Sequence, residues 1–180
     1  MQNKEHVILV NEKDEPTGTM EKMEAHEKGL LHRAFSIFVF NDKNELMLQQ
    51  RAKNKYHSGG LWTNTCCSHQ QAGESNLEAG KRRLLEEMGF QTDLFDAFYF
   101  IYKSPMDRGL TEHELDHVLI GYYNGEPRIN PAEAASWKWQ SMDSIKADLP
   151  RQPERYTEWF KICFSQVWNF LNKKQNTAPS

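Results

Sequence analysis

The segment Trp62-Thr-Asn-Thr-Cys-Cys-Ser-His69 sets a thiol, Cys67, close to an imidazole, His69. Side chains alternate along an extended backbone, so Cys67 and His69 share one face and Cys66 takes the other. A thiol needs a polar or charged neighbour to set its pKa before it can do chemistry. Without one, both cysteines serve as small buried hydrophobes. A second run, Thr111-Glu-His-Glu-Leu-Asp-His117, lines Glu112, Glu114 and Asp116 along one strand face, with His113, Leu115 and His117 on the other. Exposed, these carboxylates form a solvated strand surface. Turned inward, they need cations or protons to compensate them, so a metal or a raised pKa follows.

Other candidates are weaker taken singly. His26 and His32 flank Glu27-Lys-Gly-Leu-Leu31 at a spacing that fits neither one helical face nor a compact zinc-finger pattern. Lys22, Arg51, Lys55 and Arg83 fit a phosphate cradle, and equally a solubilising surface. Glu74, Arg82, Leu84, Glu86, Glu87 and Gly89 follow a degraded Nudix helix pattern, with Arg83 where a Glu follows the Arg in that family. Glu86 and Glu87 begin a turn after Arg82, and a carboxylate there can still hold the Mg²⁺ that accompanies a diphosphate, since Mg²⁺ takes oxygen ligands and keeps several waters. Arg83 in an acidic position removes part of a hydrolase metal cluster and adds a phosphate-binding cation, which argues against ordinary Nudix hydrolysis.

The elements that must position these groups follow from pattern. Ala34 to Phe40 and Glu45 to Gln50 read as strands around the turn formers Asn41-Asp-Lys-Asn44, a β-hairpin. Ser75 and Glu78 match a capping box and Gly89 suits a left-handed cap, which predicts a helix over 76–88. Further strands are expected at 98–102, 114–123 and 136–140, and an amphipathic helix at 154–172 bearing Trp159, Ile162, Cys163, Val167, Phe170 and Leu171. Strands mixed with a few helices, without regular alternation, indicate an α+β fold. Residues 1–175 are read as one domain and 176–180 as a frayed tail.

A formal net charge of −3 gives no global field for nucleic acid or an anionic membrane, so an anionic ligand needs a local basic cluster. The apolar run Val7 to Val10 is too short for a signal-peptide core, no later stretch reads as a bilayer span, and the three cysteines make no disulfide framework. The expectation is a cytoplasmic chain, a monomer or weak homodimer, acting on a small molecule.

Taken together, these residues resemble type I isopentenyl diphosphate isomerases over nearly the whole chain. The likeness rests on Pro16-Thr-Gly-Thr19 followed by Glu21-Lys22, Trp62-Thr-Asn64 leading to Cys67-Ser-His69, Gly73-Glu-Ser-Asn76, and Tyr102 with Glu112-His-Glu114, all in order. The resemblance implies a Nudix-like mixed sheet flanked by helices. It implies a Mn²⁺ or Zn²⁺ site formed by His26, His32, His69, Glu112 and Glu114, and a Mg²⁺ beside the substrate diphosphate, near Glu87 and the Cys67 carbonyl. Lys22, Arg51, Lys55 and Arg83 match diphosphate-binding positions, Cys67 and Glu114 the acid–base pair, Tyr102 a partner of Glu114, and Trp159 the face toward a developing cation. His57, His113 and His117 have no counterpart, and Ser68 stands where Gly is usual. The competing readings are a Nudix hydrolase of nucleoside diphosphate derivatives and a noncatalytic metal-binding domain.

Overall fold

The computed structural model describes residues 5–176. The chain runs β1 (His6–Val10), β2 (Pro16–Glu21), α1 (Lys22–Lys28), β3 (His32–Phe40), β4 (Glu45–Arg51), β5 (Trp62–Thr63), β6 (Cys66–Ser68), α2 (Asn76–Met88), β7 (Leu94–Pro105), β8 (Thr111–Tyr122), β9 (Ala134–Ser141), α3 (Met142–Asp148) and α4 (Glu158–Asn176). This is the expected α+β architecture, a mixed sheet with helices on its faces.

β3 organises the sheet. Its residues from His32 to Phe40 pair in parallel with β8 from Glu114 to Tyr122, while its other edge meets β1 at His32, β6 at Phe35 to Ile37 and β4 at Phe40. A strand covered on both faces reads as a near-continuous apolar run. Phe35, Ile37 and Val39 point into a core with Cys66, Leu84, Met88 and Leu119. Phe38 and Phe40 point into the opposite core with Val118, Ile120, Phe160 and Phe164. Fully burying one such side chain contributes about 1.5–3 kcal/mol.

The same register turns core into site. Along the second face, the even-numbered residues of β8 change from Ile120 and Val118 to Asp116, Glu114 and Glu112, while β3 changes from Phe38 to Ser36 and His32. Tyr102 on β7 stands directly across from Glu114. Polar groups therefore gather where the apolar packing of α4 ends.

The predicted helix at 76–88 forms with both halves of its capping box, and Gly89 closes it at φ 70°. The hairpin between β3 and β4 pairs only at Phe40↔Leu46, because the two strands then part: β3 joins β8 and β4 joins β9. The last helix starts at Glu158 rather than 154, since Pro153–Arg155 forms a single 3-10 turn and Tyr156 is extended. The expected frayed tail, apart from Asn176 at the end of α4, lies outside the described residues. β1, β2, α1 and α3 have no counterpart in the pattern reading.

A Cβ at Gly89 would lie 2.2 Å from the Arg128 carbonyl oxygen, in a left-handed backbone. Gly89→Ala is expected to lower unfolding free energy by more than the roughly 1–2 kcal/mol of the left-handed conformation alone. Urea unfolding checks this. A loss under about 0.5 kcal/mol would mean that the helix end is not pinned against Arg128.

Candidate active site

His26 and His32 fit no single helical face because they belong to two elements. α1 ends at Gly29 in the left-handed conformation, the chain reverses, and His32 opens β3 with its ring 4.9 Å from that of His26. His26 Nδ1 lies 2.7 Å from the Lys22 carbonyl and His32 Nδ1 lies 2.8 Å from that of Leu30. Each ring can donate its Nδ1–H there, which leaves Nε2 as a lone-pair donor. Both Nε2 atoms are buried without a hydrogen-bond partner.

His69 follows β6 and sets Nε2 3.1 Å from Glu114 Oε1, while His32 Nε2 lies 3.5 Å from the same oxygen. Ligand atoms of His26, His32, His69 and Glu114 all fall within 4.8 Å of one another. Tyr102 donates toward Glu112 Oε2 at 2.9 Å and Glu114 Oε2 at 2.7 Å. Imidazoles with unused lone pairs facing carboxylates are the donor set of a divalent transition metal, so the residues present fit such an ion.

Burial sets the ionisation of the group. It opposes the charge on Glu114, but His32 and His69 beside it outweigh that and hold the carboxyl well below its usual range. Burial lowers His69 to about 4 despite the same contact. Burial would likewise lower His32, yet Glu114 raises it. Asp116, with no cation against it, is pushed well above the carboxylate range by burial and then by the charge of Glu114. The inward-facing reading of the three carboxylates is the one that forms, with all of them buried.

Cys66 is fully buried in the core under α2, and Cys67 faces the opposite side. Cys67 Sγ donates to Asn64 Oδ1 at 3.0 Å, receives Trp159 Nε1–H at 3.2 Å and lies 3.5 Å from Ser36 Oγ. Burial, then the nearby Asp116, raises its pKa, so the thiol stays protonated. Ser68 sits in β6 opposite Phe35 with no positive φ, so this turn makes no demand for glycine.

A cavity of about 390 Å³ is lined by His69, Glu112, Glu114, Tyr102 and Cys67. Lys22, Arg51, Lys55 and Arg83 line it together with Cys67, Glu87 and Trp159. Its cations already have partners: Lys22 pairs with Glu5 at 2.9 Å, Arg83 with Glu87 at 2.5 Å, and Lys55 with Glu133. Arg51 sits 5.0 Å from the Trp159 ring centroid, a cation–π contact. Sequence reasoning missed Glu5 and Glu133, which are brought in by tertiary packing, and quoted Asn64 in a motif without giving its side chain a role. It also set aside His57, whose Nε2 lies 3.3 Å from Glu112 Oε1. Among the remaining histidines, His117 bridges Asp14 and Asp96 at 2.9 Å each, and His113 Nδ1 lies 3.0 Å from the Gly29 carbonyl.

The NUDIX domain family matches residues 30–160. A crystal structure from Deinococcus radiodurans shares the fold at a TM-score of 0.68 and 22% identity, covering 82% of this chain and 90% of that one. Fold and helix together define a NUDIX protein. Two curated relatives narrow this. The isopentenyl-diphosphate Delta-isomerase of Pectobacterium atrosepticum is 49% identical over 94% of this chain and 97% of its own length. Isopentenyl-diphosphate Delta-isomerase 2 of Aromatoleum aromaticum is 49% identical over 91% of this chain and 86% of its own. The chain belongs to the isopentenyl-diphosphate Delta-isomerase family.

The cation-lined cavity yields a prediction independent of catalysis. Inorganic diphosphate with Mg²⁺ should bind, and Arg83→Glu should weaken it by at least about tenfold, since a charge-assisted hydrogen bond contributes about 1.5–3 kcal/mol. Isothermal titration calorimetry measures this. Equal affinity in the variant would remove Arg83 from the anion site.

Proposed function

We propose that this chain, with residues 1–175 as one catalytic unit, interconverts isopentenyl diphosphate and dimethylallyl diphosphate in isoprenoid biosynthesis. The reading is carried by one observation: the Cys67 thiol and the buried Glu114 carboxylate open onto the same cavity as Lys22, Arg51, Lys55 and Arg83. Membership of the isomerase family supports it.

The reaction moves a double bond by adding a proton at one end of an allyl unit and removing one two carbons away, through tertiary carbocation character. Water would trap that cation, so the two acid–base groups must work in an enclosed, largely dry space. Cys67 and Glu114 are the pair. The Cys67 thiol is held as a proton carrier by burial, and Asn64 and Trp159 fix its direction. Glu114 divides its work between its oxygens: Oε1 faces His32 and His69, and Oε2 meets Tyr102. A phenol has one O–H, so Glu112 and Glu114 either share it or one of them holds a proton. Burial, then the charges of both carboxylates, keeps Tyr102 protonated. Proton transfer is therefore assigned to Glu114 Oε2, with Tyr102 orienting it.

His26, His32, His69, Glu112 and Glu114 would hold a Mn²⁺ or Zn²⁺, whose charge polarises Glu114 and compensates its burial. Glu87 and the Cys67 carbonyl would take part in a Mg²⁺ site with the diphosphate. Lys22, Arg51, Lys55 and Arg83 bind the diphosphate, with Lys22, Lys55 and Arg83 exchanging their carboxylate partners for phosphate oxygens. Trp159 presents an indole to the developing positive charge, worth about 0.5–2 kcal/mol. No helix among the described residues is long and apolar enough to cross a membrane.

NMR of isopentenyl diphosphate incubated with purified protein and Mg²⁺ is expected to show dimethylallyl diphosphate. Cys67→Ala should lower kcat by at least about 10²-fold. Cys66→Ala should keep most activity and lose on the order of 1 kcal/mol of stability. Phosphate release in place of isomerisation, or near-normal turnover by Cys67→Ala, would overturn the reading.

A further inference from the structure

We propose that His57 is an additional ligand of the His/Glu metal centre and closes it to solvent and substrate; this rests on the metal reading above. His57 lies on the loop between β4 and β5, which also carries Lys55. Its side chain is 3% exposed, and its Nε2 lies 3.3 Å from Glu112 Oε1 without forming a hydrogen bond. Nδ1 is 3.2 Å from Ser58 Oγ, which leaves Nε2 able to offer a lone pair. The ring is wedged edge-on between Tyr56 at 4.4 Å and Trp159 at 5.8 Å, and its backbone carbonyl accepts from Arg51 at 3.2 Å.

Two groups of ligand atoms lie within 4.8 Å of one another: His26, His32, His69 and Glu114, and separately His26, His57 and Glu112. His26 belongs to both. With Nδ1–H directed at the Lys22 carbonyl, its Nε2 has one lone pair and can serve one ion. Two ions therefore cannot occupy the two groups together with His26 bound to both. The two groups are separate and share only His26, so one ion placed at that shared imidazole would draw His57 and Glu112 in beside His32, His69 and Glu114. Such a set fills an octahedron and leaves no position for water, unlike a catalytic zinc site that keeps one open. A closed ion cannot touch the alkene and acts on the reaction only through Glu114. If His57 were instead a protonated partner of Glu112 alone, the ion would keep a coordinated water.

The test loads metal-free full-length protein with Mn²⁺ and uses three readouts besides turnover: affinity by titration, water-proton relaxation, and the number of coupled nitrogens by pulsed electron paramagnetic resonance. Wild type is expected to show four coupled nitrogens and no rapidly exchanging bound water. His57→Ala should show three nitrogens, gain one water and bind Mn²⁺ at least about tenfold more weakly. Three nitrogens and an exchanging water in wild type would overturn the proposal on their own, whether or not the variant folds. Unchanged affinity in a folded His57→Ala would do the same while leaving the metal reading intact. Failure of wild type to take up Mn²⁺ at all would sink both.

Discussion

The burial of three carboxylates on one face of β8 is the constraint on which the rest of this structure depends. Glu112, Glu114 and Asp116 are each at least nine-tenths buried. Taking even one ionised carboxylate out of water costs several kcal/mol unless it is paired and hydrogen-bonded. The chain meets this cost by drawing partners from separate elements. His26 comes from α1, His32 from β3, His69 from the end of β6, and Tyr102 from β7. Asp116 lies beyond reach of that cluster and takes the alternative, neutralisation, with Ser36 Oγ donating to it at 2.7 Å.

The same constraint separates isomerase from hydrolase chemistry on one fold. The α2 helix keeps Glu87, yet Arg83 stands beside it in an ion pair that a second metal-binding carboxylate would break. Three carboxylates are instead gathered on the β8 face, where Glu112 and Glu114 line the same cavity as the Cys67 thiol. The fold sets the scaffold for either chemistry; these side chains select one.

Much of this was legible in the sequence wherever the signal was local. The Ser75/Glu78 capping box and Gly89 fixed α2 to its observed ends because caps act within a few residues. Period-two alternation set Cys67 apart from Cys66 and put Glu112, Glu114 and Asp116 on one face. The joining of His26 to His32 was opaque to pattern, since it depends on a chain reversal at Gly29. Their roles came from the family resemblance instead. His57 and Glu133 were given no role by either route, because each matters through one contact between residues far apart in the chain. The parting of β3 from β4 after Phe40 likewise follows from partners elsewhere in the chain, β8 and β9, that no hairpin signal contains.

A divalent cation held by the His/Glu cluster would compensate the buried carboxylate charge. Differential scanning calorimetry of metal-free and Mn²⁺-loaded protein tests this most directly, using wild type and the Glu112→Gln, Glu114→Gln double variant. At a hundredfold excess over Kd, wild type should gain roughly 5–10 °C in Tm. The double variant should gain nothing from the ion and, metal-free, should melt at or above metal-free wild type. A wild-type Tm that ignores the ion, together with a double variant that melts well below it, would mean that the protein's own groups stabilise the carboxylates without a cation.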